Sequence, residues 1–184
     1  MGVAVTIAVM LSYNKFKSNR FGTAEGDSNM AKFENMDFMN NAFTTGAFVT
    51  SGDNVMVASW GFVGVMWGKK VFVAPVRDSR YTKVMLDKTG EFTVSVPAAG
   101  TMKKEIAFCG SKSGREYDKW AETGMKKKAA KVVGTCLVEG CERYFECRVL
   151  GVLPMGDMDL SAVEEWYPTG DKHNFYFGEI VAEY

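Results

Sequence analysis

The run KVFVAPV, Lys70–Val76, is apolar on both of its alternating faces. A strand of that kind needs cover on both sides. Several further β-type runs surround it, with few helical patterns between them. AFVTSGDNVMVASW reads as two strands joined by the tight-turn composition SGDN. EFTVSVP alternates and is stopped by Pro97, and strands are expected at Val132–Val138, Tyr144–Leu153 and Phe175–Glu183. GFVGVMWG reads as a bulged or looped segment that brings Trp60 and Trp67 near a pocket or an interface. The strict strand–helix alternation of a doubly wound fold is missing. The pattern predicts a mainly β chain, a mostly antiparallel β-barrel with peripheral helices.

Short helices are expected near Phe33–Asn41, at KKEIAFCG, at REYDKWAETG, where Gly124 ends it, and around Leu160–Trp166. The last falls inside a long insertion, Leu153–Lys172. KKKAAKVV reads as a solvated turn. After Val76 comes a joint, RDSRYT, and then a helix. Ser79 or Asp78 is expected to cap that helix, because a side-chain oxygen accepts an otherwise unpaired N–H. Tyr81, Val84, Met85 and Lys88 share one face by three-and-four spacing, and Gly90 ends the helix in a left-handed conformation.

The chain has 184 residues, room for one principal domain, placed here at 30–184. Residues 1–29 read as an extension: the apolar run VAVTIAVML is too short to span a membrane, and its basic residues follow it, the reverse of a signal peptide. Met30 opens the compact part. Twenty-two basic residues balance 22 acidic ones, which disfavours nucleic-acid binding. Cys109, Cys136, Cys141 and Cys147 show no C-x-x-C and no zinc spacing. Period two sends Cys136 and Cys141 to opposite faces of one strand. Reduced thiols of a cytoplasmic protein, with no metal site and no membrane contact, are the expectation.

The chemistry-bearing candidates are few. The chain has one histidine, no G-x-S-x-G elbow and no phosphate-binding G-x-x-x-x-G-K-[ST] loop. Chemistry then belongs to a bound cofactor that the protein places. At the RDSRYT joint, Arg77, Ser79, Arg80 and Thr82 gather guanidinium and hydroxyl groups at a helix N-terminus, which holds an anion naturally. An ordinary cap with two surface arginines is the alternative. In NVMVASWG, the residues Asn54, Met56, Ala58 and Trp60 share one strand face, suited to a flat aromatic ligand or to a core. Ser59, on the opposite face, joins the candidate set at the strand end. Lys119 either contacts such a ligand or pairs at the surface. His173 sits where the aromatic strand NFYFGEIVAEY begins, and is the catalytic candidate.

NVMVASWG, GKKVFVAPVRDSRYTKVMLDKTGEFTVSVP, AFCGSKSGREYDKWAETG and HNFYFGEIVAEY occur together and in this order. On these stretches the chain resembles the flavin reductase-like, FMN-binding split-barrel proteins, in particular the flavoredoxin-type branch. The resemblance implies a Greek-key split β-barrel, a homodimer, and FMN held near the subunit interface. It implies that Asn54 and Trp60 flank the flavin ring, and that Arg77, Ser79, Arg80 and Thr82 meet the flavin side chain and phosphate. Lys119 and His173 match positions near the ring or the nicotinamide. The implied function is an oxidoreductase that moves hydride or electrons between NADH, NADPH or a redox protein and an acceptor. An electron-transfer flavoprotein and a non-catalytic ligand-binding barrel are the alternatives.

Overall fold

The structure, a computed structural model, describes residues 37–184. The expected extension at 1–29 and the start of the helix expected near Phe33–Asn41 lie outside the described residues; the described helix α1 is Phe38–Thr44.

Two hairpins begin the sheet. β1 (Ala47–Ser51) and β2 (Asn54–Ala58) pair so that Ser51 faces Asn54, leaving a two-residue turn as SGDN suggested. β3 (Phe62–Met66) pairs with β4 (Lys69–Arg77). GFVGVMWG is therefore an edge strand and not a looped segment. Its two-residue turn is Trp67–Gly68, with φ of 53° and 73°, the doubly left-handed hairpin turn. Helix α2 (Tyr81–Thr89), β5 (Glu91–Val96), α3 (Lys103–Ser111) and α4 (Lys119–Thr123) follow. The remaining strands are β6 (Lys127–Lys128), β7 (Leu137–Val138), β8 (Arg143–Pro154) and β9 (His173–Glu183).

The main sheet has the order β2-β1-β5-β8-β9-β4-β3, all antiparallel. Long connections set β1 beside β5 and β4 beside β9. One buried cluster takes Val49 from β1, Met56 from β2, Phe72 and Val76 from β4, Phe92 from β5, Phe145 from β8 and Tyr176 from β9. Strands far apart in the sheet order meet there, so the sheet curls round its own core. The edges β2 and β3 are not joined by a ladder, and the barrel is split, not closed. Phe72 lies at the hub, its ring centroid 6.0, 6.4 and 5.8 Å from those of Phe43, Phe92 and Phe145.

The outside of the sheet is covered in two places. Phe48 and Val55 pack under Cys109, Ile106 and Trp120 of α3 and α4. Val71, Val73 and Phe175 pack under Met155, Leu160 and Tyr167 of the insertion. This is why Lys70–Val76 shows no period: Phe72, Ala74 and Val76 fill the barrel, and Val71 and Val73 lie under the insertion. The insertion contains two 3-10 segments, Met155–Asp157 and Ser161–Trp166, the second where a short helix was expected around Leu160–Trp166.

Other expectations need correction. The strand expected at Val132–Val138 shrinks to Leu137–Val138. Upstream, the buried Glu146 carboxylate accepts the amides of Lys131, Val132 and Val133 at 2.7, 2.6 and 3.0 Å, so they enter no ladder. Cys136 and Cys141 flank β7 instead of sharing a strand, and all four cysteines are free. KKKAAKVV contributes β6, with Lys128 lying 4.3 Å over the Tyr144 ring. In α2 the buried residues are Thr82 and Leu86, while Val84 is exposed. Among the described residues no helix is long and apolar enough to cross a membrane.

Candidate functional site

The joint between β4 and α2 is built by the start of β9. Arg77, the last residue of β4, pairs in register with His173. The expected caps are engaged elsewhere. The amide and hydroxyl of Ser79 donate to the two carboxylate oxygens of Asp171, at 3.0 and 2.7 Å. The Asp78 carboxylate accepts from Asn174 Nδ2 at 2.8 Å. Arg80 is the N-cap and supplies no capping bond. The first amides of a nine-residue helix are thus left without a side-chain acceptor, beside the Arg80 guanidinium, and carry the helix's positive end.

Two cavities adjoin at this joint. One, of about 220 Å³, is lined among others by Met56, Ala58, Ser59, Trp60, Arg77, Arg80 and His173. The other, of about 170 Å³, is lined by Asn54, Met56, Ser79, Arg80, Thr82 and Lys119, with Ser111–Gly114 opposite. Met56 and Arg80 belong to both. Every candidate site residue named from sequence therefore lines one of the two, although their polar atoms differ in availability; Trp67, at the exposed β3–β4 turn, lines neither.

Arg77 is largely committed. It donates from Nη1 to the Asp171 carbonyl at 2.8 Å, approaches the Asp171 carboxylate at 3.9 Å and lies 5.3 Å over the Tyr167 ring. Burial alone would raise the Asp171 carboxyl; the Ser79 bonds and the Arg77 charge together hold it below the usual carboxylate range. Arg80, half-buried, forms no ion pair among the described residues. Thr82 is buried and its hydroxyl accepts from Asn54 Nδ2 at 2.6 Å.

Lys119 is buried too. Its ammonium donates to the Val55 and Cys109 carbonyls at 2.8 and 2.9 Å, which ties α4 to β2 and α3. Burial lowers its pKa, as does the Arg80 charge, with Cys109 opposing. An ammonium has three donors, so one remains for a ligand in the smaller cavity. Lys119 is first a structural tie.

Gly114 packs against the Asn54 amide so closely that an added Cβ would fall 1.9 Å from Oδ1 and 3.2 Å from Tyr81 Cδ1. Gly114→Ala is expected to push the amide aside and break the Asn54–Thr82 bond. A buried hydrogen bond lost with its partner stranded costs about 1–3 kcal/mol. The variant should keep its circular dichroism and lose about tenfold in affinity for a ligand of the smaller cavity. Unchanged affinity would remove Asn54 from the site.

His173 is buried against the Trp60 ring, centroids 4.5 Å apart, with Nδ1 2.9 Å from the Tyr167 hydroxyl. Burial, then the Arg77 charge, brings its pKa down to about 4, against the pull of Asp171. The ring is neutral at pH 7. Unfolded, it titrates near about 6.5. Between those values the unfolded chain binds more protons, so stability falls as pH drops from 6.5 to 4. Proton NMR is direct here, because the chain has one histidine. The ring signals should titrate with a midpoint near 4; a midpoint of 6 or above would contradict the buried, neutral assignment.

Sequence reasoning missed Asp171, Tyr167 and the Ser111–Gly114 wall. The first two belong to the insertion, which carried no chemical motif. Only SKSG in the third, a run of small polar residues after a helix, offered a signal.

The flavin reductase like domain family matches residues 39–182. A protein of Archaeoglobus fulgidus is 29% identical over 107 residues, 58% of this chain and 59% of its own length. This chain thus spans about three fifths of that curated relative. Flavoredoxin from Methanosarcina acetivorans superposes with a TM-score of 0.60 at 23% identity, over 84% of this chain and 75% of its own. The NADH:FAD oxidoreductase SgcE6 of Streptomyces globisporus, in complex with NAD and FAD fragments, gives 0.57 at 20% identity, over 76% and 73%. At these identities the solved structures speak for the fold.

Proposed function

The chain belongs to the flavin reductase-like family, and on that premise we propose that it is an FMN-binding oxidoreductase. Its electrons would come from NADH, NADPH or a redox protein. One observation carries the reading: a half-buried guanidinium without an ion pair among the described residues, a helix N-terminus without a side-chain cap and an aromatic-walled hollow meet across two adjoining cavities. That donor set suits a phosphate attached by a short chain to a flat ring. Arg80 and the first amides of α2 would hold the phosphate. Trp60 and the backbone from Met56 in β2 to Ser59 just beyond it would bound the ring, with Asn54 and the free donor of Lys119 at its polar edges. When bound, FMN supplies the hydride or single-electron chemistry. His173, neutral at pH 7, would bound the ring hollow beside Trp60 without adding a charge of its own.

A homodimer is part of the proposal. Phe62, Val65 and Met66 of β3, with Trp67 at its turn, and Leu150 and Val152 of β8 are exposed apolar side chains, a surface that self-association would bury. A cytoplasmic location goes with it.

The test is anaerobic reduction of the flavin-loaded protein. Bleaching of the flavin absorbance by NADH or NADPH at catalytic rates is the expected result. Bleaching only by reduced ferredoxin would place the protein among electron-transfer flavoproteins. A protein that takes up no flavin would contradict both.

A further inference from the structure

Ser79 brings an amide and a hydroxyl to the joint, and both go to one carboxylate. Asp171 Oδ1 accepts from the amide at 3.0 Å and Oδ2 from the hydroxyl at 2.7 Å. The Arg77 guanidinium stands near them, its Nη1 3.9 Å from Oδ2. An amide, a hydroxyl and a cation converging on the oxygens of one anion form the donor set that a phosphate takes. Ser79 also lines the smaller cavity, beside Arg80. Asp171 lines neither cavity, so it holds these donors without filling the space a ligand would occupy.

The backbone around Asp171 is fixed independently of its carboxylate. The Asp171 carbonyl accepts from Arg77 Nη1 at 2.8 Å, and the Lys172 carbonyl accepts from the Asp78 amide at 3.0 Å. The ladder with β4 then begins at His173. The Asp171 side chain is partly exposed. It can therefore turn out to water about its own bonds while the insertion stays in place.

We propose that Asp171 is a specificity-determining residue of the site, a carboxylate that competes with the ligand's phosphate for the amide and hydroxyl of Ser79 and is displaced when the phosphate binds. The inference rests on the flavin reading and deepens it. Two effects act in the same direction. The phosphate meets a like charge beside the joint, and it gains the Ser79 donors only by taking them from Asp171. A ligand without a phosphate meets neither effect. Asp171 thus narrows the margin by which the site prefers FMN to riboflavin. A purely structural strut would act the other way: its removal would loosen Ser79 and weaken FMN.

The experiment titrates the full chain with FMN, riboflavin and inorganic phosphate. The proteins are the wild type, Asp171→Asn, Asp171→Ala, Ser79→Ala and Asp171→Asn made in Ser79→Ala. Flavins are followed by fluorescence, and phosphate by the rise in melting temperature. Asparagine keeps the shape of the side chain and removes its charge. The expected result is FMN bound about tenfold more tightly by Asp171→Asn, with riboflavin changed by less than about threefold. The gain should shrink when the exchange is made in Ser79→Ala. FMN bound no more tightly by folded Asp171→Asn or Asp171→Ala overturns the inference and leaves the flavin reading standing. So does an equal gain for riboflavin, or a gain undiminished in Ser79→Ala, which would be a charge effect that does not pass through Ser79. Failure of both Asp171 variants to fold overturns it as well, since a competitor is dispensable for folding. Phosphate bound more tightly by Asp171→Asn, with neither flavin bound by any variant, sinks the flavin reading alone; no ligand bound by any variant sinks both.

Discussion

Arg80→Ala is expected to raise the dissociation constant for FMN by about ten- to a hundredfold, and that for riboflavin by less than about threefold. Arg80 lines both cavities and has no carboxylate partner among the described residues. Its guanidinium is therefore free to meet a phosphate. Charge-assisted hydrogen bonds contribute about 1.5–3 kcal/mol, which is about ten- to a hundredfold in affinity. Riboflavin has no phosphate and should scarcely respond. Arg77→Ala should do less to FMN, since that guanidinium already serves Asp171 and the Tyr167 ring. Fluorescence titration of both variants with both ligands measures the contrast. Equal losses for FMN and riboflavin would move the phosphate away from the joint.

Phe72→Ala is expected to destabilise the protein by about 3–5 kcal/mol, the range for an aromatic ring removed from a packed core. Phe72 is buried, and three other rings lie within ring-contact distance of it. They come from α1, β5 and β8, which the curl of the sheet brings together. For a chain of this length the melting temperature should drop by about 6–20 °C. Phe62→Ala on the edge strand is the control, because Phe62 is exposed, and it should change stability by less than about 1 kcal/mol. Comparable losses at the two positions would mean that the core does not lie inside the curl.

Much of the fold was legible because its strands carry their own signals. AFVTSGDNVMVASW announces a hairpin by its turn residues, and the double-sided apolar run Lys70–Val76 announces a covered strand. What failed was whatever depends on a distant partner. The Val132–Val138 run looks like a strand, but the carboxylate of Glu146, from another strand, takes its first amides. Ser79 looks like a helix cap, but Asp171, 92 residues on, takes its amide and hydroxyl. GFVGVMWG looked irregular because a tryptophan rarely adopts the positive φ that Trp67 takes in its turn.

The site shows the same division. Spacing along β2 and at the RDSRYT joint nominated residues that line adjoining cavities, since each set is local in sequence. Availability of their polar atoms was not legible. Arg77 and Ser79 are held by the insertion, Lys119 by two backbone carbonyls and Thr82 by Asn54. In the proposed function the burden of anion recognition would fall on Arg80 and the amides of α2, a distribution that composition alone does not distinguish.

The most direct measurement is reconstitution: the full chain is mixed with FMN, freed of unbound ligand by gel filtration, and its visible spectrum and flavin content are recorded. About one flavin per chain, released by competing inorganic phosphate more readily in Arg80→Ala than in the wild type, is the predicted result. A colourless wild-type protein after gel filtration, folded by circular dichroism, would contradict it.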